Sequence, residues 1–163
     1  MHEARLRCDP CDSNPCDESK LNQSKNLLII ESRVFVTASK LFVKLATEGS
    51  TQVLNHLIDC YSLLDRMFKI AEVIVINTES QAQVTCLVDR LKEVASNFSR
   101  TIETVVSLIK APSSTADATV SMDVSLASQN RKTASLSLLM NHATCLATSL
   151  SALMRTLTAF SSY

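Results

Sequence analysis

The chain has 163 residues, and its 16 basic and 16 acidic side chains leave no formal net charge. One Gly and three Pro are too few for the turns of an all-β protein of this size. The lack of a basic excess argues against a general nucleic-acid binder, while the length suffices for one domain with its own core.

The first 20 residues, MHEARLRCDPCDSNPCDESK, are polar, hold two of the three prolines and show no apolar period. Residues 1–23 are expected to form a flexible tail ahead of a helical bundle over 24–163. The tail lacks the apolar stretch of a secretory signal, and no long uncharged apolar run predicts membrane insertion. The expectation is a cytoplasmic protein whose six cysteines are reduced thiols. Cys8, Cys11 and Cys16, with His2 upstream, echo a ligand spacing, but a zinc site needs four ligands on a rigid frame. Neither metal nor cofactor is expected.

The first helix is expected over about Ser24–Thr47, with Leu27, Ile30, Val34, Ala38, Leu41 and Leu45 as its core stripe. Gly49 suits the left-handed position that ends a helix, and Ser50 suits a cap for the next. In the second helix Leu54, Leu57, Ile58, Tyr61, Leu64, Phe68, Ala71 and Val75 recur at helical spacing, and the β-branched EVIVIN continues the pattern. Thr78 with Gln81 has capping-box spacing. The third helix carries Leu87, Leu91, Val94, Phe98, Ile102, Val105 and Ile109 and stops at Ala111-Pro112. A Ser/Thr-rich connection is expected over 111–130. The fourth helix follows, with Leu136, Leu139, Met140, Ala143, Leu146, Ala147, Leu150, Leu153, Met154, Leu157 and Phe160 inward. Four such helices predict an all-α fold, an antiparallel up-down four-helix bundle.

Candidate chemistry is sparse. Cys60, Cys86 and Cys145 fall in separate helices and read as packed thiols. His56 and His142 each precede a cysteine by four or three residues, yet no Gly-rich turn offers oxyanion donors, and no phosphate-binding or metalloprotease motif occurs. No enzymatic activity is expected. Thr133 and Ser135 follow Arg131 and Lys132, a basic context for phosphorylation in the connection.

The first helix has one further feature. At 100° per residue, Arg33, Lys40 and Lys44 fall within about 40° of one another, with Val36 and Val43 beside them. An apolar strip with a basic rim suits docking of an amphipathic, acidic partner helix. FVTASKLFVKLATE (Phe35 to Glu48) resembles a helix of the C-terminal bundle of Cas-family adhesion scaffolds, and LVDRLKEVASNFSRTI (Leu87 to Ile102) resembles another. The wider group is the focal-adhesion-targeting and vinculin/talin-like bundles. That resemblance implies a non-enzymatic scaffold or adaptor module of adhesion or cytoskeletal signalling, binding a partner helix or an adaptor domain; the charge balance already speaks against nucleic acid as a partner. A structural oligomerisation bundle is the first alternative, and an actin- or acidic-lipid-binding bundle the next.

Overall fold

The structure, a computed structural model, describes residues 15–110 and 122–160, with side chains over 17–110 and 129–160. Four helices make up the fold: α1 (Pro15–Glu48), α2 (Val53–Ile76), α3 (Gln81–Lys110) and α4 (Met122–Phe160). Among the described residues there is no strand. Two boundaries differ from expectation. α1 begins at Pro15, so residues 15–23 of the expected tail are helical. Proline is suited to a first helical position, where no N–H partner is needed, and Asp17 and Glu18 in the first turn oppose the positive helix end. α4 begins at Met122, so 122–130 of the expected connection is also helical. Residues 1–14 and 111–121 lie outside the described residues, and with them His2, Cys8 and Cys11.

The α1–α2 joint explains itself locally. Gly49 adopts φ +67°, its N–H donates to the Ala46 carbonyl at 3.3 Å, and the Ser50 N–H donates to the Leu45 carbonyl at 3.0 Å. This double bond pattern is a Schellman motif, which satisfies two otherwise orphaned carbonyls. A Cβ on Gly49 would meet nothing within 4 Å. Gly49→Ala is therefore expected to cost about 1–2 kcal/mol from backbone strain alone, read as a lowered midpoint in urea with unchanged slope.

The caps differ from those expected. Ser50 Oγ accepts from the Gln52 N–H at 3.2 Å, but the capping residue of α2 is Gln52, which makes no side-chain cap. At α3, Ser80 Oγ accepts from the Gln83 N–H at 3.4 Å. Thr78 instead donates to the Ile74 carbonyl at 2.6 Å, closing the end of α2.

α1 and α2 pack as one hairpin and α3 and α4 as another; both contacts are extensive. The hairpins join chiefly along α1 and α4, while α2 touches α3 only slightly and does not touch α4 among the described residues. Cross-helix pairs give the directions. Lys25, near the start of α1, donates from Nζ to the carbonyl of Phe160 at the end of α4, at 3.4 Å. Asn97 Nδ2 donates to the Cys145 carbonyl at 3.3 Å. Burial lowers the Lys25 pKa, and nearby Glu18 works against that shift. Placing a cation against the last carbonyls of α4 opposes the negative end of its dipole.

The core departs from the expected register in the first hairpin. In α1 the buried apolar residues are Leu28, Phe35, Phe42 and Val43, whereas Leu27, Ile30, Val34 and Leu41 are exposed. In α2, Val53, Cys60, Leu63, Leu64, Met67, Ala71 and Ile74 are buried; Leu54, Ile58, Tyr61 and Phe68 are exposed. The aromatic residues supply the reason. Phe98 of α3 meets Phe35 edge-on at 5.2 Å, Tyr61 at 5.7 Å and Phe42 at 6.5 Å between ring centres. Seating two large rings seven residues apart turns α1 by about 100°, just over a quarter of a turn, from the face bearing Leu27 and Val34.

In the second hairpin the register matches. Leu87, Leu91, Val94, Phe98 and Val105 are buried, as are Leu139, Leu146, Leu150, Leu153 and Leu157. Ile109 and Met140 are the exceptions and are exposed.

Buried hydroxyls need partners. Ser32 donates to the Leu28 carbonyl at 2.6 Å, Thr101 to Asn97 at 2.8 Å, Thr104 to Arg100 at 2.9 Å and Ser149 to Leu146 at 2.8 Å. Each bond stays within one helix, so small polar residues line the packing surfaces without cross-helix networks.

Candidate docking groove

An open groove of about 690 Å³ runs between α1 and α4. Val43, Ala143, Leu146 and Ala147 form its apolar floor, and Lys40 and Lys44 stand on the α1 rim. Its shape follows from side-chain size. Ala143 and Ala147, one turn apart on α4, face Ser39 and Val43 of α1. These small groups leave unfilled space where leucines elsewhere along α4 close the interface.

The groove offers little hydrogen bonding. Ser39 donates to the Val36 carbonyl at 3.0 Å and Thr47 to Lys44 at 2.7 Å. On the opposite wall Thr144 donates to Met140 and Thr148 to Thr144, both at 2.9 Å. With these hydroxyl donors turned back onto their own helices, the floor presents mainly methyl and methylene groups. Among the described residues no acidic side chain lines it. Lys44 sits 3.9 Å from Glu48, and both are well exposed, so that pair holds the ammonium only weakly.

Of the residues singled out on the sequence, Lys40, Val43 and Lys44 line the groove, while Arg33 and Val36 do not. Arg33, Lys40 and Lys44 are exposed. Val43 is buried and Val36 is half-buried against the core, so the apolar strip expected beside the basic residues is instead part of the packing surface of α1. Rotating α1 onto Phe35 and Phe42 drew them inward. The α4 wall was not foreseen as part of a site. Its only sequence signal is Ala143 and Ala147 at i, i+4 within a leucine-rich stripe, which also describes ordinary close packing.

The other candidates separate. His56 and Cys60 belong to α2, and His142 and Cys145 to α4, so the two pairs sit on helices that do not meet. Burial, with Asp59 nearby, pushes the Cys60 thiol up to about 11, which keeps it protonated and unreactive at neutral pH. Cys86 is half-buried and Cys145 exposed. Cys16 falls in the first turn of α1, and among the described residues no group of three or more His, Cys, Asp or Glu could hold a metal ion. Thr133 and Ser135 lie inside α4 rather than in a connection, and the Thr133 hydroxyl donates to the Gln129 carbonyl at 2.9 Å. Residues 129–160 of α4 are long and apolar enough to cross a membrane by length and composition alone. The same properties suit a core helix: Leu139, Leu146, Leu150, Leu153 and Leu157 are buried within the bundle, although Leu138 is exposed and only 28% of the most apolar stretch is buried.

The chain matches no protein-family model, no curated protein and no solved structure.

Proposed function

We propose that this is a non-enzymatic protein–protein interaction module that receives a partner helix in the groove between α1 and α4. The observation that carries the reading is the combination of an apolar floor with a rim on which, among the described residues, Lys40 and Lys44 are the charged lining side chains. Helix-in-groove recognition needs an apolar channel for the partner's anchoring residues and flanking charges that set orientation. The basic rim selects acidic residues beside those anchors. A scaffold or adaptor role in adhesion or cytoskeletal signalling is the setting implied by the Cas-like stretches at 35–48 and 87–102, and it rests on those stretches alone. The up-down bundle supplies two long, rigid walls, which lowers the ordering cost of binding.

The test uses a synthetic amphipathic helix with a leucine face flanked by aspartates, titrated into the full chain. Methyl signals of Val43, Leu146, Ala143 and Ala147 are expected to shift together. Lys40→Glu with Lys44→Glu is expected to weaken binding about tenfold or more at low salt, while exposed charge changes alter stability by less than about 0.5 kcal/mol. Shifts confined to other helix faces, or equal affinity for the double variant, would reject the groove as the docking site.

A further inference from the structure

Away from the groove, the seam between α2 and α3 is also apolar and open. Leu54, Ile58, Tyr61 and Phe68 of α2 are exposed, and so are Val106 and Ile109 of α3. Leu54 and Ile58 keep 65% and 62% of their surface, and Ile109 keeps 59%. Helical spacing puts Leu54, Ile58, Tyr61 and Phe68 in one row. Tyr61 directs that row toward α3, because its ring packs against Phe98. Val106 and Ile109 follow Phe98 at helical spacing on the side away from α4, whose direction the Asn97–Cys145 bond marks. The helices themselves barely touch here, so the two rows flank a broad apolar surface.

The geometry points to a second copy of this chain as the occupant of the α2–α3 seam. Area is the first reason. With a full large side chain taken as about 150–200 Å², these six leave about 470–630 Å² exposed, in the upper part of what monomers tolerate. Two such faces fully covered bury about 940–1,260 Å², which reaches the range of specific interfaces once the surrounding polar rim is added. Of the segments outside the described residues, 1–14 carries Leu6 as its one large aliphatic residue beyond Met1, 111–121 carries Val120 and 161–163 carries Tyr163, little apolar surface to cover the seam.

Charge is the second reason. A two-fold contact sets the same surface against itself, so a single-sign rim would repel. Here both signs are present: Asp65 stands within the α2 row between Tyr61 and Phe68 and pairs with Lys69 at its edge at 2.8 Å, and Glu103 and Lys110 lie near the α3 row. The whole chain has zero formal charge, so two copies meet without net repulsion. The basic rim of the α1–α4 groove lacks this self-complementarity, which separates the two surfaces in kind of partner.

Sedimentation velocity of the full chain, from low to high micromolar concentration, tests this. The unaltered protein is expected to dimerise. Ile58→Asp with Ile109→Asp is expected to weaken self-association at least about a hundredfold with helicity retained, because central apolar anchors dominate such contacts. The milder Ile58→Ser serves if the double variant folds poorly, and is expected to shift the dissociation constant in the same direction. Lys40→Glu with Lys44→Glu is expected to leave the dimer intact, so the failure of either surface is read independently of the other. A monomer at every concentration would overturn the inference. So would a dimer that survives Ile58→Asp/Ile109→Asp but dissociates on Leu27→Asp with Ile30→Asp, which would place the contact on the outer face of α1.

Discussion

Phe98→Ala is expected to destabilise the fold by roughly 3–5 kcal/mol, the range for removing a large buried ring. Phe98 is 2% exposed and is the common neighbour of Phe35, Phe42 and Tyr61. Its loss removes area, leaves a cavity and breaks three edge-on ring contacts. Each such contact is worth about 0.5–1.5 kcal/mol beyond its area. The position also matters because Phe98 links α3 to both α1 and α2, the pairs with the least backbone contact. For a chain of this size, the loss corresponds to a melting temperature lower by on the order of 10 °C. Calorimetry of Phe98→Ala beside Phe98→Leu checks it. The leucine variant should recover more than half the loss by refilling most of the volume. A loss below about 1 kcal/mol for the alanine variant would mean that the three rings do not converge on this residue.

Two neighbouring leucines provide the second large effect. Leu28→Ala is expected to cost about 2–5 kcal/mol, and Leu27→Ala about 0.5 kcal/mol or less. Leu28 is fully buried, while Leu27 is 44% exposed. The chemistry of the two substitutions is identical, so the difference between their urea midpoints reads the rotation of α1 directly. Equal costs, or the reverse order, would show that α1 turns the Leu27 face inward and that Phe35 does not sit in the core. The same logic makes Leu41, also exposed, a mild site despite its place in the most regular apolar stripe of the helix.

Much of the helical framework was legible from the sequence. Scarce Gly and sustained 3.6-residue periods indicated four helices, and the VIVI run stayed helical because it extended a stripe already about five turns long. In α3 and α4 one apolar row is much the longest, and the large apolar residues outside it, such as Val106, Leu138 and Met140, are few, so one orientation buries the stripe. Leu87 through Val105 and Leu139 through Leu157 could therefore be assigned without a fold. The early start of α1 was carried by Pro15 followed by Asp17 and Glu18, a start signal outweighed by the polarity of the surrounding residues.

Only tertiary structure decided the inward faces of α1 and α2. Both helices carry two apolar rows, one through Leu27 and Val34 or Leu54 and Ile58, the other through Leu28 and Phe35 or Met67 and Ile74. A helical period tells which residues share a face. It does not tell which face meets a neighbour, because that depends on whether rings from another helix can be seated there. Phe98 made that choice from a position 63 residues beyond Phe35 in the chain. The groove had the same origin: the spacing of Lys40 and Lys44 was visible along α1, but its far wall is on α4. Its volume exists because Ala143 and Ala147 happen to stand opposite Ser39 and Val43, and side chains so small cannot fill the gap between two helices.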